Sequence, residues 1–398
     1  MISHTSPLAG RMQHVGLSPI MKGTVEADRL RRQGVDVVDL GAGEPDFPTP
    51  AHVTAAAHAA LDGQFTKYTA NVGIVELREA VGLRYREDHG VSYAADEVVI
   101  TAGGKQALFH AAMALFGAGD EVVVHTPGWP TLSEQVKLSG ATPVAAATRP
   151  DLGFAVTADV LLSRVTPRTR GIILNSPTNP TGALMAEEEA RVLAAEAAAR
   201  DLWVVMDLCY DRLIYDRVPH RLPKIFGDAM RDRLVICGSA SKSYAMTGWR
   251  CGWLAAPRAV AAAANALQSH ETSNVNSITQ KAALAALTGP QTCVTEMLTE
   301  YQARRDHLID WLAEEPRFLA VVPKGAFYLF PSVKAFLSDG RCPTSIEFAS
   351  RLLRDEHVLV TPGEAFHAPG YIRLSYATSL ERLREGATRL IRFARGLS

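Results

Sequence analysis

Between positions 96 and 255 the chain repeats one pattern: a short apolar run, a loop, then a longer stretch with apolar residues at helical spacing. The runs predict strands at Val98–Thr101, Glu121–His125, Gly171–Leu174, Leu202–Met206, Leu234–Cys237 and Gly252–Ala255. Helices between them include Lys105–Phe116 and the Ala/Glu-rich segment Glu187–Arg200. Runs without polar alternation suit a sheet buried on both faces, so the expected class is α/β, with a mostly parallel sheet between helices. In such sheets ligands sit beyond the carboxyl ends of the strands, which makes the loops after these runs the expected place for chemistry.

Ahead of this region, Thr24–Gln33 predicts a polar-faced helix stopped by Gly34, and Val35–Leu40 predicts a short strand. Residues 51–92 predict two helices around a loop that carries Lys67-Tyr68-Thr69. After about residue 256 the composition turns to Ala-rich helix, and Tyr301–Trp311 reads as an amphipathic connector. A mixed segment follows, with strands at Phe327–Phe330, Val358–Val360 and Tyr371–Leu374 and helices at Ile346–Asp355 and Leu380–Arg395. A chain of 398 residues exceeds what one core usually serves. The expected division is an N-terminal arm and part of a small domain over 1–50, a large domain over 51–295, and a small α+β C-terminal domain over 296–398.

Charge narrows the partners. With 41 Lys+Arg against 42 Asp+Glu and a net charge of −1, the chain has no electrostatic footprint for nucleic acid or an acidic membrane, so a small ligand is expected. The five cysteines, Cys209, Cys237, Cys251, Cys293 and Cys342, are odd in number and lack any Cys-x-x-Cys spacing. They read as reduced, mostly buried thiols of a cytoplasmic protein, and no metal site is expected. No run of about eighteen apolar residues suggests a membrane span.

The loops after the strands are chemically distinctive. Gly103-Gly104-Lys105-Gln106 opens a helix whose free N–H groups can face a phosphate; Gln106 stands where a nucleotide-binding loop needs Ser or Thr for magnesium. Thr126-Pro-Gly-Trp129-Pro130 is a rigid turn that can lay an indole against a ring or simply pack it. Next come Asn175-Ser-Pro-Thr-Asn179-Pro-Thr-Gly182 and Asp207-Leu-Cys-Tyr210. Asp207 reads either as a helix cap or as a charged partner for a ligand.

Upstream, Gly41-Ala-Gly43-Glu-Pro-Asp-Phe-Pro-Thr-Pro50 fails as a dinucleotide fingerprint, lacking the third glycine, but can offer backbone N–H groups to a carboxylate. The most specific stretch is Ser239-Ala-Ser-Lys242-Ser-Tyr-Ala-Met-Thr-Gly-Trp-Arg250-Cys-Gly252. A lysine among hydroxyls past a strand end, with an arginine eight residues on, can bond a carbonyl as an imine while the hydroxyls and guanidinium hold a phosphate. Pyridoxal phosphate requires that combination. Ser-x-x-Lys also matches penicillin-recognising enzymes, but neither Ser-Asp-Asn nor Lys-Thr-Gly follows.

The lysine stretch, Gly-Glu-Pro-Asp-Phe at 43–47 and Arg373-Leu-Ser-Tyr-Ala377 together resemble the class I, fold-type I aminotransferases of the bacterial aspartate aminotransferase branch, over about Arg11–Arg395. That resemblance implies a transaminase that moves an amino group between an aspartate-like or aromatic L-amino acid and a 2-oxo acid such as 2-oxoglutarate, by a ping-pong route. It implies that Lys242 holds pyridoxal phosphate and then acts as base, with Asp207 at the pyridine nitrogen and Tyr210 and Asn179 at the ring oxygen. Trp129 lies against the ring. Ser239, with Ser241 in support, Arg250, and the N–H groups at Gly104 and Lys105 take the phosphate, joined by Tyr68 from the other subunit of a homodimer. Gly43, Trp129, Asn179 and Arg373 face the substrate, with Arg373 on its carboxylate. Tyr244–Trp249 reads as scaffold.

The sequence departs from this pattern at Cys251, where an aliphatic residue is usual, and at Gly128, which replaces a common aromatic and is expected to enlarge the pocket. Around an acidic substrate side chain Ser18, Lys105 and Ser269 match the pattern, whereas Ile20 replaces a threonine. A pyridoxal-phosphate lyase performing β-elimination is the alternative reading. A regulator of transcription fits poorly, for want of a helix-turn-helix segment.

Overall fold

The fold is described from a computed structural model, which covers residues 12, 16, 20–337 and 342–397. The strands are β1 (Val38–Asp39), β2 (Val98–Thr101), β3 (Glu121–Thr126), β4 (Thr142–Ala147), β5 (Thr169–Asn175) and β6 (Trp203–Asp207), followed by β7 (Leu234–Ser239), β8 (Gly252–Ala255), β9 (Tyr328–Leu329), β10 (Val358–Leu359), β11 (Thr361–Pro362) and β12 (Ile372–Ser375). Seven of them form one sheet in the order β2-β8-β7-β6-β5-β3-β4. Its pairings are parallel from β7 through β4, and β8 runs antiparallel to both of its neighbours. This is the α/β architecture expected from the unalternated apolar runs.

Successive side chains point to opposite faces of a strand, and both faces here are dry. In β5, Ile172 and Leu174 join a core with Leu193, Phe226 and Ala282 on one side, whereas Ile173 joins Leu108, Val136 and Ala264 on the other. Burial on both faces explains why these runs are continuously apolar. One strand of this sheet was not predicted. β4 lies at the sheet edge, is exposed at three of its six positions, and its run after Pro143 is mostly alanine, so neither residue type marks it as a strand.

A second core gathers the chain's two ends. β1 pairs in parallel with β10, placing Val38 opposite Val358, and β11, β12 and β9 form a small antiparallel sheet. Helices Ser345–Glu356 and Leu380–Gly396 cover it with Phe348, Leu352, Leu390 and Phe393. The long helix Thr292–Leu312 joins the two cores: Val294 packs beneath the large sheet, whereas Tyr301, Leu308 and Leu312 pack in the second core. Along this helix Arg304 donates to Asp46 at 2.8 Å, which ties the Gly41–Pro50 loop down, and Arg305 pairs with Asp216 at 2.9 Å.

Candidate active site

The sheet's registry brings the distant loops together. Asn175 at the end of β5 lies opposite Asp207 at the end of β6, which in turn lies opposite Cys237 of β7, two residues before Ser239. β2 delivers Gly103 and Gly104 to the same edge, and β3 delivers Trp129. Past this edge lies a cavity of about 390 Å³, lined by Gly43, Gly104, Lys105, Trp129, Asn179, Asp207, Tyr210, Ser239, Ser241, Lys242, Arg250 and Arg373. Of the residues expected to hold the cofactor, Tyr68 is the one outside this cavity's lining; it is 90% exposed on the loop after helix Ala51–Asp62. Asn175, Cys209, Thr247 and Tyr328 also line the cavity and had not been singled out. Thr247 lies in the stretch read as scaffold, and its hydroxyl donates to Glu44 at 2.7 Å.

Four cations face this space. Lys242 Nζ donates to the Gly43 carbonyl at 2.5 Å, and burial pushes its amine down to about 8. Arg250 donates to the carbonyls of Thr247 and Ala102 at 3.0 and 3.2 Å. Lys105 Nζ stands 5.0 Å from the Trp129 ring centroid, and its pKa is lowered by burial and by Arg250. Arg373 is 2% exposed. It donates to Asn179 Oδ1 at 3.1 Å and to the Gly41 carbonyl at 2.8 Å, and its Nε has no partner. Among the described residues none of these four has a carboxylate in ion-pair contact. Four cations without a carboxylate partner around one cavity, Arg373 buried, Lys242 half-buried and Lys105 and Arg250 exposed at its rim, suit an anionic ligand, and the buried Arg373 is costly without one.

Two features suit that anion to a phosphate at one end. Helix Gly104–Leu115 begins without a side-chain cap, leaving its first N–H groups for a ligand. Beside it, Ser239 Oγ accepts from the Ser241 N–H at 3.1 Å and donates to the Ser241 hydroxyl at 2.8 Å. Gly103 is required here: its φ is +84°, and a Cβ would come within 2.6 Å of Arg250 Nη2, so only glycine lets the guanidinium close over the turn.

Asp207, fully buried in the cavity wall, is the counterweight. Its carboxyl is raised to about 6 by burial, partly offset by hydrogen bonding from Cys209, whose N–H donates to Oδ1 at 3.1 Å. The folded state therefore holds a proton that the unfolded chain releases earlier. In the cofactor-free protein stability falls as pH rises from 3.8 to about 6, and the cost persists above that window. Its size is on the order of 3 kcal/mol. Asp207→Asn is expected to make the cofactor-free protein more stable than wild type at pH 8, with the gap closing toward pH 4; a denaturant titration that gives the same gap at both values would contradict this.

Three details bear on the departures from the pattern. Gly128 does not widen the cavity: it is buried away from the lining, and a Cβ there would meet the His125 carbonyl oxygen at 2.5 Å, so it serves the tight turn out of β3. Ser269 is exposed on helix Arg258–Glu271, bonds back to the Ala266 carbonyl and does not reach the cavity. Ser18 lies outside the described residues, and Ile20 opens helix Ile20–Arg32.

A lysine amine, a buried carboxylate, hydroxyl donors and an anion cradle in one cavity suit pyridoxal phosphate, and with the sheet they define a fold-type I pyridoxal-phosphate enzyme. Comparison with known proteins sharpens the class. The chain matches the family "Aminotransferase class I and II" over residues 35–390 and belongs to it. It is 39% identical to the probable aspartate/prephenate aminotransferase of Aquifex aeolicus, across 96% of this chain and 97% of that one. It is likewise 39% identical to the aspartate aminotransferase of Geobacillus stearothermophilus, across 97% and 98%. The aspartate aminotransferase of Rhizobium meliloti superposes with a TM-score of 0.93 at 37% identity, covering 98% of this chain and 99% of that structure. The Thermus thermophilus enzyme with maleate gives 0.91 at 38%, covering 98% and 100%. The protein is thus a pyridoxal-phosphate-dependent transaminase.

Proposed function

We propose that the protein exchanges an amino group between an aspartate-like or aromatic L-amino acid and 2-oxoglutarate by a ping-pong route. The carrying observation is Arg373, a buried cation lacking an ionic partner among the described residues and facing the same cavity as Lys242. Its guanidinium presents a fork to the substrate α-carboxylate, with Gly43 and Asn179 alongside. The cofactor, when bound, supplies an acceptor for the electron pair left on the substrate Cα. Lys242 binds it through its amine and, once freed, takes the Cα proton and returns a proton on the other side of the transfer. Asp207 holds the positive charge of the pyridine nitrogen. Tyr210 and Asn179 donate to the ring oxygen, Trp129 covers the ring, and Ser239, Arg250 and the N–H groups of Gly104 and Lys105 hold the phosphate.

Lys105 beside Trp129 is the reason to include acidic substrates, and the Thermus relative with bound maleate, a dicarboxylate, supports that choice. Lys105→Met tests it. The variant is expected to lose at least about tenfold in kcat/KM for L-aspartate, the equivalent of one charged hydrogen bond, while L-phenylalanine changes less than threefold. Equal losses for both would overturn acidic recognition by Lys105.

The domain division proposed is 1–50, 51–295 and 296–398, and the setting proposed is the cytoplasm. Among the described residues no helix is long and apolar enough to cross a membrane. The assembly is proposed as a homodimer in which Tyr68, 90% exposed in the single chain, reaches the partner's phosphate site. Tyr68→Phe is expected to weaken cofactor retention about tenfold. Mixing Tyr68→Phe with Lys242→Ala chains should rebuild one site of wild-type retention per mixed dimer, and dialysis that shows no recovery would contradict the shared site.

A further inference from the structure

Tyr328 has no part in the roles set out above, yet it stands where three of them meet. It opens β9 opposite Ser375 of β12, is 1% exposed and faces the cavity. Its hydroxyl lies 2.9 Å from the Tyr210 hydroxyl, and the two rings meet edge to face at 5.8 Å. The Arg373 guanidinium lies over its ring at 4.3 Å. Tyr210 comes from the loop after β6 and Tyr328 from the small sheet, so this contact joins the cofactor side of the cavity to the carboxylate side.

A phenol hydroxyl has one proton to give and two sites that accept. If Tyr210 gives its proton to a ring oxygen, the 2.9 Å bond to Tyr328 survives only with Tyr328 as donor. Burial holds both phenols above their ordinary range, so both keep the proton this direction requires. Hydrogen bonds in such a chain polarise one another, and a Tyr210 that accepts from Tyr328 is the stronger donor. Resting on the roles proposed for Tyr210 and Arg373, we infer that Tyr328 is a positioning residue that donates to Tyr210 and so fixes the Tyr210 proton toward the ring oxygen of the bound cofactor. The charged and titratable groups facing the pair are Arg373 from β12, Asp207 at the end of β6, Cys209 from the loop after it, and Lys242 and Arg250 from the lysine stretch.

Tyr328→Phe keeps the ring beneath Arg373 and removes the donor. In the holoprotein, the pH midpoint of the bound cofactor's absorbance is expected to rise by about 0.5 unit, because a weaker Tyr210 donor stabilises the anionic ring oxygen less. Tyr210→Phe should raise it further, and adding Tyr328→Phe in that background should add nothing. Replacing Tyr328 with 3-fluorotyrosine, a stronger donor of almost the same shape, should move the midpoint the other way, a sign change that loss of packing cannot produce. An unmoved midpoint in both Tyr328 variants, or an equal rise from Tyr328→Phe with and without Tyr210, overturns the inference while leaving the transaminase reading intact. A wild-type protein with no titrating cofactor band overturns both.

Discussion

Lys242→Ala is expected to lower kcat by at least about 10⁴-fold, because it removes both the covalent hold on the cofactor and the base that moves the Cα proton. Cofactor retention should fall far less. The phosphate cradle at Gly104, Ser239 and Arg250 and the Asp207 carboxylate all lie outside the deleted side chain. Lys242→Arg should not rescue turnover, since a guanidinium stays protonated and cannot act as the nucleophile. The wild-type amine is already depressed to about 8 by burial, so the rate at which the cofactor-free protein takes up pyridoxal phosphate should rise as pH climbs through that value and level off above it. Stopped-flow absorbance checks this, and a flat profile from pH 6 to pH 9 would place the bonding amine elsewhere.

Arg373→Lys carries the second large effect. The native guanidinium is fixed between the Tyr328 and Phe366 rings, at 4.3 and 5.1 Å, and by hydrogen bonds to Asn179 and Gly41. Lysine keeps the charge but loses the fork and the flat stacking surface. The expected loss is on the order of 10²-fold in kcat/KM for every amino-acid donor, about 3 kcal/mol, expressed mainly in KM. The cofactor's absorbance should stay as in wild type, because Arg373 is assigned to the substrate. A loss confined to one donor would mean that Arg373 reads the side chain rather than the shared α-carboxylate.

The sequence foretold the sheet where burial leaves a mark on it. β2 and β8 fall at the residues predicted, since both faces are dry and no polar residue interrupts the run. β4 escaped because this edge strand is built mostly of alanine behind a proline, both poor strand formers. The cavity was legible to the extent that its residues sit in loops with unusual local chemistry, as Lys242, Asp207 and Trp129 do. Tyr328 was hidden for the opposite reason: it lies in Phe327–Phe330, an apolar stretch that reads as core, and its importance comes from Tyr210 and Arg373, 163 residues apart along the chain. Gly128 was misjudged because a missing side chain suggests added space, whereas here the carbonyl of His125 occupies it.

The central claim is that these residues pass an amino group from substrate to cofactor and stop there until an acceptor arrives. Holoprotein mixed with L-aspartate or L-glutamate, with no 2-oxo acid present, should convert its bound cofactor once from the aldehyde to the amine form, seen by absorbance. One equivalent of 2-oxo acid per site should appear, and no ammonia. Absorbance that stays unchanged with every amino acid tried, or continuing release of pyruvate and ammonia without an acceptor, would contradict the account.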